Sequence, residues 1–153
     1  METLTTDILI IGSGAAGLAL SLKMADDFNV LLLSKDEATL SSSALAQGGI
    51  AAVITETDSF EKHVQDTLNA GAGLCRRETV ENIVRQAPDR VRDLINWGVD
   101  FDKTTADSFA LGREGGHQEN RILHIKDQTG SGIHAALLKK AKENPRIQIL
   151  QNH

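Results

Sequence analysis

One cysteine, Cys75, occurs in 153 residues, so no intrachain disulfide can form and a disulfide-stapled extracellular scaffold is excluded. No histidine or metal-type spacing accompanies Cys75, which reads as a small packing residue. Aromatic residues are also scarce, with four Phe, one Trp and no Tyr. That bias suits an α/β core of Val, Ile, Leu and Ala better than an aromatic-rich sandwich. No apolar run approaches the ~20 residues needed to cross a bilayer, and METLTTD at the start lacks a basic signal region, so a cytoplasmic location is expected. Basic charge is in deficit too: a formal charge of −5 argues against a nucleic-acid surface. Arg76-Arg77, and Lys139-Lys140 with Lys142, read as solvated helix-end charges. Neither a Walker lysine nor a G-x-S-x-G elbow is present, which removes P-loop enzymes and that class of hydrolase. No internal repeat or linker breaks the chain.

What is present is a soluble globular composition, 41% apolar and 24% charged, long enough for one domain with a real core. DILIIGSGAAGLAL, residues 7–20, opens it. Ile8 to Ile11 form an unbroken apolar run that predicts a parallel strand buried on both faces. Gly12, Gly14 and Gly17 follow as G-x-G-x-x-G, and a helix is expected from about Gly14 to Asp26. In such a turn the first glycine permits the tight conformation, the second admits a pyrophosphate to the main chain, and the third lets helix and strand pack closely. The helix N-terminus supplies free N–H groups and a positive dipole end. NVLLLSK, residues 29–35, predicts a second buried strand and completes a βαβ unit suited to a dinucleotide. The second strand often ends in an acidic residue for the ribose hydroxyls, whereas this one ends Ser34-Lys35. Ser34 can still bond a ribose, and Lys35 can meet a phosphate or stay solvated. Plain NAD binding therefore fits less well.

Residues 36–58 are rich in Ser, Ala, Gly and Thr and read as a long ordered loop with an extended piece at Ile50 to Ile54. Ser41-Ser42-Ser43 and Gly48-Gly49 make it a second cofactor-contacting segment. Asp58 or Ser59 can cap a helix carrying Phe60, Val64 and Leu68 and ending at Gly71. The next helix sets Val80, Ile83, Val84, Ala87, Val91, Leu94 and Ile95 on one face, with Pro88 expected to kink or split it and Gly98 to stop it. Trp97 reads as a packing residue. Short strands and a polar loop are expected over residues 99–130, then a helix with Ile133, Leu137, Leu138 and Ala141 inward, closed by Asn144-Pro145. RIQIL, residues 146–150, reads as a last strand.

Residues 113–124 gather Arg113, Glu114, His117, Glu119, Arg121 and His124 around Gly115-Gly116. Metal ligation fits poorly, because arginines are interleaved and H-E-x-x-H is absent. Two readings stand. Guanidinium and imidazole groups can hold carboxylates or phosphates; alternatively the cluster is a set of surface salt bridges.

DILIIGSGAAGLAL, SSSALAQGGIAA and REGGHQENRILHIKDQTG, in this order, resemble the flavoproteins of the fumarate reductase and succinate dehydrogenase group, and within it the L-aspartate oxidase family most closely. AQGGIAA marks the wider group; REGGH followed by RILH and D-x-T-G is more specific. The resemblance implies an α/β, Rossmann-type FAD-binding domain with a parallel sheet and flanking helices. It also implies oxidation of L-aspartate to iminoaspartate as the first step of NAD biosynthesis, with oxygen or fumarate as acceptor and quinolinate synthase as the next enzyme. Carried over, Gly12, Ser13, Gly14, Ala15, Ala16 and Gly17 are the pyrophosphate turn, and Ser34 and Lys35 the end of the second strand. Ser42, Ser43, Ala44, Leu45, Ala46, Gln47, Gly48 and Gly49 are the flavin-contacting loop. Glu114 corresponds to the catalytic-site glutamate placed near the substrate, where it favours the amino group of aspartate. The succinate dehydrogenase branch links its flavin through a histidine where this chain has Ser42, so noncovalent FAD is expected. Gln118 and Gln128 depart from the residues common in the family. Family members run to several hundred residues, so residues 1–153 are expected to be the N-terminal portion of the FAD-binding domain, without the capping and C-terminal helical domains and inactive alone. A fumarate reductase-like flavoprotein and a noncatalytic flavin-binding module are the alternatives.

Overall fold

The computed structural model describes residues 3–153. In chain order the elements are β1 (Ile8–Ile11), α1 (Ala15–Met24), β2 (Val30–Ser34), β3 (Ile50–Ala51), α2 (Phe60–Ala70) and α3 (Arg77–Asn96). There follow β4 (Lys103–Thr105), β5 (Ser108–Phe109), β6 (Leu111–Gly112), β7 (Ile122–Leu123), α4 (Thr129–Glu143) and β8 (Ile147–Gln151). They fall into two compact units rather than around one core. The first holds residues 1–47, 97–99 and 128–153; the second holds 48–96 and 100–127.

In the first unit β1, α1 and β2 form the expected βαβ unit, and β8 adds beyond β2 to give a parallel sheet of order β1-β2-β8. Ile10 pairs with Leu32, which pairs in turn with Ile149. Val30, Leu31 and Leu32 are buried, as a central parallel strand requires. The helix α4 packs against α1, and its inward residues Ile133, Leu137, Leu138 and Ala141 are all buried. It ends because Asn144, held extended before Pro145, cannot continue the helix. One expectation fails at β1. Ile10 is buried, but Leu9 is 53% and Ile11 81% exposed. As an edge strand of a three-stranded sheet, β1 has a face that no layer of the described residues covers.

In the second unit Ser59 caps α2, its Oγ accepting the Lys62 N–H at 3.2 Å, and Gly71 follows the last turn. The helices α2 and α3 pack together around Val64, Val80 and Val84, with Phe60, Leu68 and Cys75 against them. Pro88 does not split α3, which runs unbroken through it. Val80, Val84 and Val91 remain in phase on both sides of the proline, and burying them on one surface offsets the ~3 kcal/mol an interior proline costs. The apolar stripe is narrower than expected: Ile83 and Ile95 are exposed. The remaining strands form an antiparallel sheet of order β3-β7-β6 and a β4-β5 hairpin. The expected extended piece at Ile50 to Ile54 is regular strand only at Ile50–Ala51. No described helix is long and apolar enough to cross a membrane.

Candidate functional site

The turn between β1 and α1 closes as tightly as its glycines allow. A Cβ on Gly17 would lie 1.9 Å from the Gly12 carbonyl oxygen, so only glycine lets helix and turn approach this closely. Ser13 and Ser34 are both buried, their hydroxyls 2.7 Å apart. The Ser34 hydroxyl is therefore engaged inside the turn and is not offered to a ribose at the surface, whereas Lys35 is exposed. Gly14 caps α1 without a side-chain hydrogen bond, and no acidic residue stands in the first turn to neutralise the positive helix end. Ala15 donates its N–H to Ser43 Oγ at 3.1 Å. The N–H groups of Gly14, Ala16 and Gly17 have no hydrogen-bond partner among the described residues. A row of unpaired main-chain donors at an uncompensated positive helix end is what a pyrophosphate requires.

The loop from Ser41 divides in its contacts. Ser43 reaches the turn through Ala15, and Ser42, Leu45, Ala46 and Gln47 are exposed. Ala44 is half-buried, its N–H bonded to Ser41 Oγ. Gly48 has open space where a Cβ would stand. Gly49 does not: a Cβ there would lie 2.2 Å from Ile122 Cγ2, so its smallness serves the packing of β3 on β7.

Residues 113–124 resolve into paired and unpaired groups. Arg121 is fully buried, not poised for an external anion. Its Nε and Nη2 each donate to Asp58 at 2.8 Å, and its Nη1 to Asp66 at 2.6 Å. Asp66 also accepts from the Gln118 N–H and side-chain amide. Burial alone raises the Asp66 carboxyl, but these hydrogen bonds and the Arg121 charge outweigh it and hold the pKa at about 2. Asp58 is likewise lowered: burial opposes, and the bonds from Arg121 and the Ser59 N–H prevail. His124 Nδ1 meets Asp102 at 3.0 Å and Glu119 pairs with Lys62. His63 and His117 meet edge to face, their Nδ1 atoms buried without partners; burial, with the Arg121 charge, lowers the His63 pKa. Three of the six clustered side chains are thus committed internally, so neither reading, anion-handling loop or surface salt bridges, describes the whole cluster. Arg113 and Glu114 stay exposed, and the Glu114 carboxylate makes no ion pair or hydrogen bond among the described residues.

Two sets of residues were not legible as site-builders. His134 is buried on α4 with Nε2 2.8 Å from the Ser13 carbonyl oxygen. Asp58 and Asp66 look like ordinary cap and helix-surface acids. The spacing of His63 and Asp66 around buried Val64 is the one signal that this face of α2 turns inward.

The family described as an FAD binding domain matches residues 7–153. The chain is 47% identical over 152 residues to an L-aspartate oxidase of Vibrio cholerae, a match covering 96% of this chain and 28% of that relative. It is 49% identical over 148 residues to an L-aspartate oxidase of Yersinia pestis, covering 94% and 28%. Among solved structures, a variant of E. coli quinol fumarate reductase aligns with a TM-score of 0.92 at 31% identity, covering 99% of this chain and 26% of that one. The chain thus spans a little over a quarter of the length of the curated relatives it matches. With that family match running from β1 through β8, the chain belongs to the FAD binding domain family, and its cofactor is FAD.

Proposed function

We propose that this chain is the FAD-holding N-terminal portion of an L-aspartate oxidase, which oxidises L-aspartate to iminoaspartate and passes electrons to oxygen or fumarate. FAD held there would supply the acceptor for the two electrons of that oxidation. The Gly12–Gly17 turn with Ser43 and the exposed 42–47 loop hold it, noncovalently because Ser42 lacks the ring nitrogen a histidyl link requires. Glu114 carries the reading: its carboxylate is exposed and unpaired beside Gly115-Gly116, free to meet an ammonium that aspartate has and succinate lacks. The identity to L-aspartate oxidases supports the same substrate. The product would pass to quinolinate synthase in NAD biosynthesis, in the cytoplasm.

The test uses full-length protein. Glu114→Gln should lower kcat/KM for L-aspartate at least about tenfold, ~1.4 kcal/mol of transition-state stabilisation, while fumarate reduction suffers less. Equal losses with both substrates, or none with aspartate, would remove Glu114 from the substrate site. A fumarate reductase-like activity, which the 31% identity to that structure keeps in view, would show as aspartate turnover absent from the unmutated protein.

A further inference from the structure

We infer that His134 is a positioning residue for FAD, acting through the Ser13 carbonyl to set the main-chain donors of the phosphate turn. In a helix begun one residue earlier, the Ser13 carbonyl would accept the N–H of Gly17. It accepts from His134 Nε2 instead, at 2.8 Å and out of solvent, and the Gly17 N–H keeps no partner among the described residues. A carbonyl only accepts, so Nε2 carries the proton. Across a trans peptide, C=O and N–H point in opposite directions. Drawing the Ser13 oxygen toward α4 therefore turns the Gly14 N–H the other way. One side chain so orients one donor and keeps a second from being consumed by the helix.

The start of α4 secures the other wall of the same turn. Gly130 donates its N–H to the Ala46 carbonyl at 2.9 Å. A Cβ on it would stand 2.1 Å from the Ser43 oxygen, so the helix sits directly on the loop whose Ser43 hydroxyl receives the Ala15 N–H. His134, one turn further along, completes the attachment.

Without His134 the Ser13 carbonyl is a buried acceptor with no donor. The cheapest relief is rotation of the 13–14 peptide toward Gly17, which removes donors from the phosphate. The inference rests on Gly12–Gly17 being the phosphate turn, and the experiment separates the two. In full-length protein, His134→Leu, His134→Gln and Gly14→Val are compared by FAD titration of the apoprotein, the 31P resonances of bound FAD and the melting of the apoprotein. His134→Leu should weaken FAD binding about tenfold, about one lost hydrogen bond, and move the 31P resonances. His134→Gln, which keeps an N–H donor, should recover most of the affinity. A folded His134→Leu protein that binds FAD within about twofold of normal, or a glutamine variant as weak as the leucine one, would overturn the inference. If His134→Leu does not fold, the His134 Nε2–H resonance of the unmutated protein decides: it should shift on FAD addition, and an unmoved resonance overturns the role. Gly14→Val should lose FAD outright; normal binding there would sink the phosphate-turn assignment and the histidine's role with it.

Discussion

A methyl group on Gly17 would be forced to 1.9 Å from one main-chain oxygen and 3.1 Å from the adjoining carbon, both of Gly12 and neither able to swing aside like a side chain. Gly17→Ala should therefore open the turn, reducing FAD affinity more than tenfold and destabilising the protein by ~1–3 kcal/mol, measurable by flavin titration and urea melting. Retention of normal affinity would mean that turn and helix can part without disturbing the donors. The motif made this position visible, because G-x-G-x-x-G states a steric requirement in sequence. Charged residues state no such requirement. Arg113 and Arg121 lie in the same short stretch, yet one is exposed and the other is completely buried. Which one faces solvent depends on where Asp58 and Asp66, over fifty residues earlier, are brought.

Helix α2 shows the same at the scale of an element. Its cap and apolar positions were readable, but Asp66 within it and Asp58 just before its cap form the acidic half of a buried Arg121 cluster. Removing the cation leaves two carboxylates in the interior, so Arg121→Met should destabilise the protein by ~3–5 kcal/mol in urea unfolding, with lysine only partly replacing the bidentate fork. A loss below ~1 kcal/mol would show that water reaches the pair. The pH dependence follows from the same groups. The His63 pKa is lowered from 6.5 by burial, so the unfolded chain binds its proton first and stability begins to fall as pH drops below 6.5. The Asp66 pKa is lowered from 3.8 to about 2, so its contribution is complete above about pH 4 and is lost as pH falls toward 2. Acid melts should show two declines, and His63→Leu should remove the upper one alone. A single decline near pH 4 in the unmutated protein would contradict the buried neutral imidazole.

For the molecule as a whole, the exposed apolar side chains Ile11 and Leu45 stand at the end of β1 and in the 42–47 loop, both in the first unit and both bordering residues assigned to FAD. On the proposed reading, Ser42 in that loop offers a hydroxyl where a histidyl flavin bond would need a ring nitrogen. Acid or denaturant should therefore release all flavin from purified full-length protein, leaving a colourless chain; yellow fluorescence that migrates with the polypeptide on denaturing electrophoresis would refute noncovalent binding. Lys35, the residue after β2, is exposed where NAD sites commonly place an acid, which suits NAD poorly.

Sequence alone determined what local chemistry can specify: β1, α1 and β2 from an apolar run broken by spaced glycines, α2 from its serine cap and apolar repeat, α4 from its buried stripe and terminal Asn-Pro. These features act over a few residues, so a short window holds their cause. Only the tertiary structure decided which polar groups are spent internally. Ser34 turned inward to Ser13, Arg121 sank between two aspartates, and His134 reached the Ser13 carbonyl across 121 positions of chain. Pro88 stayed inside α3 because burial along one face outweighed a local penalty. Hydrogen bonds and ion pairs are directional and short, so their partners are chosen by which elements meet, and no window of the sequence contains that meeting.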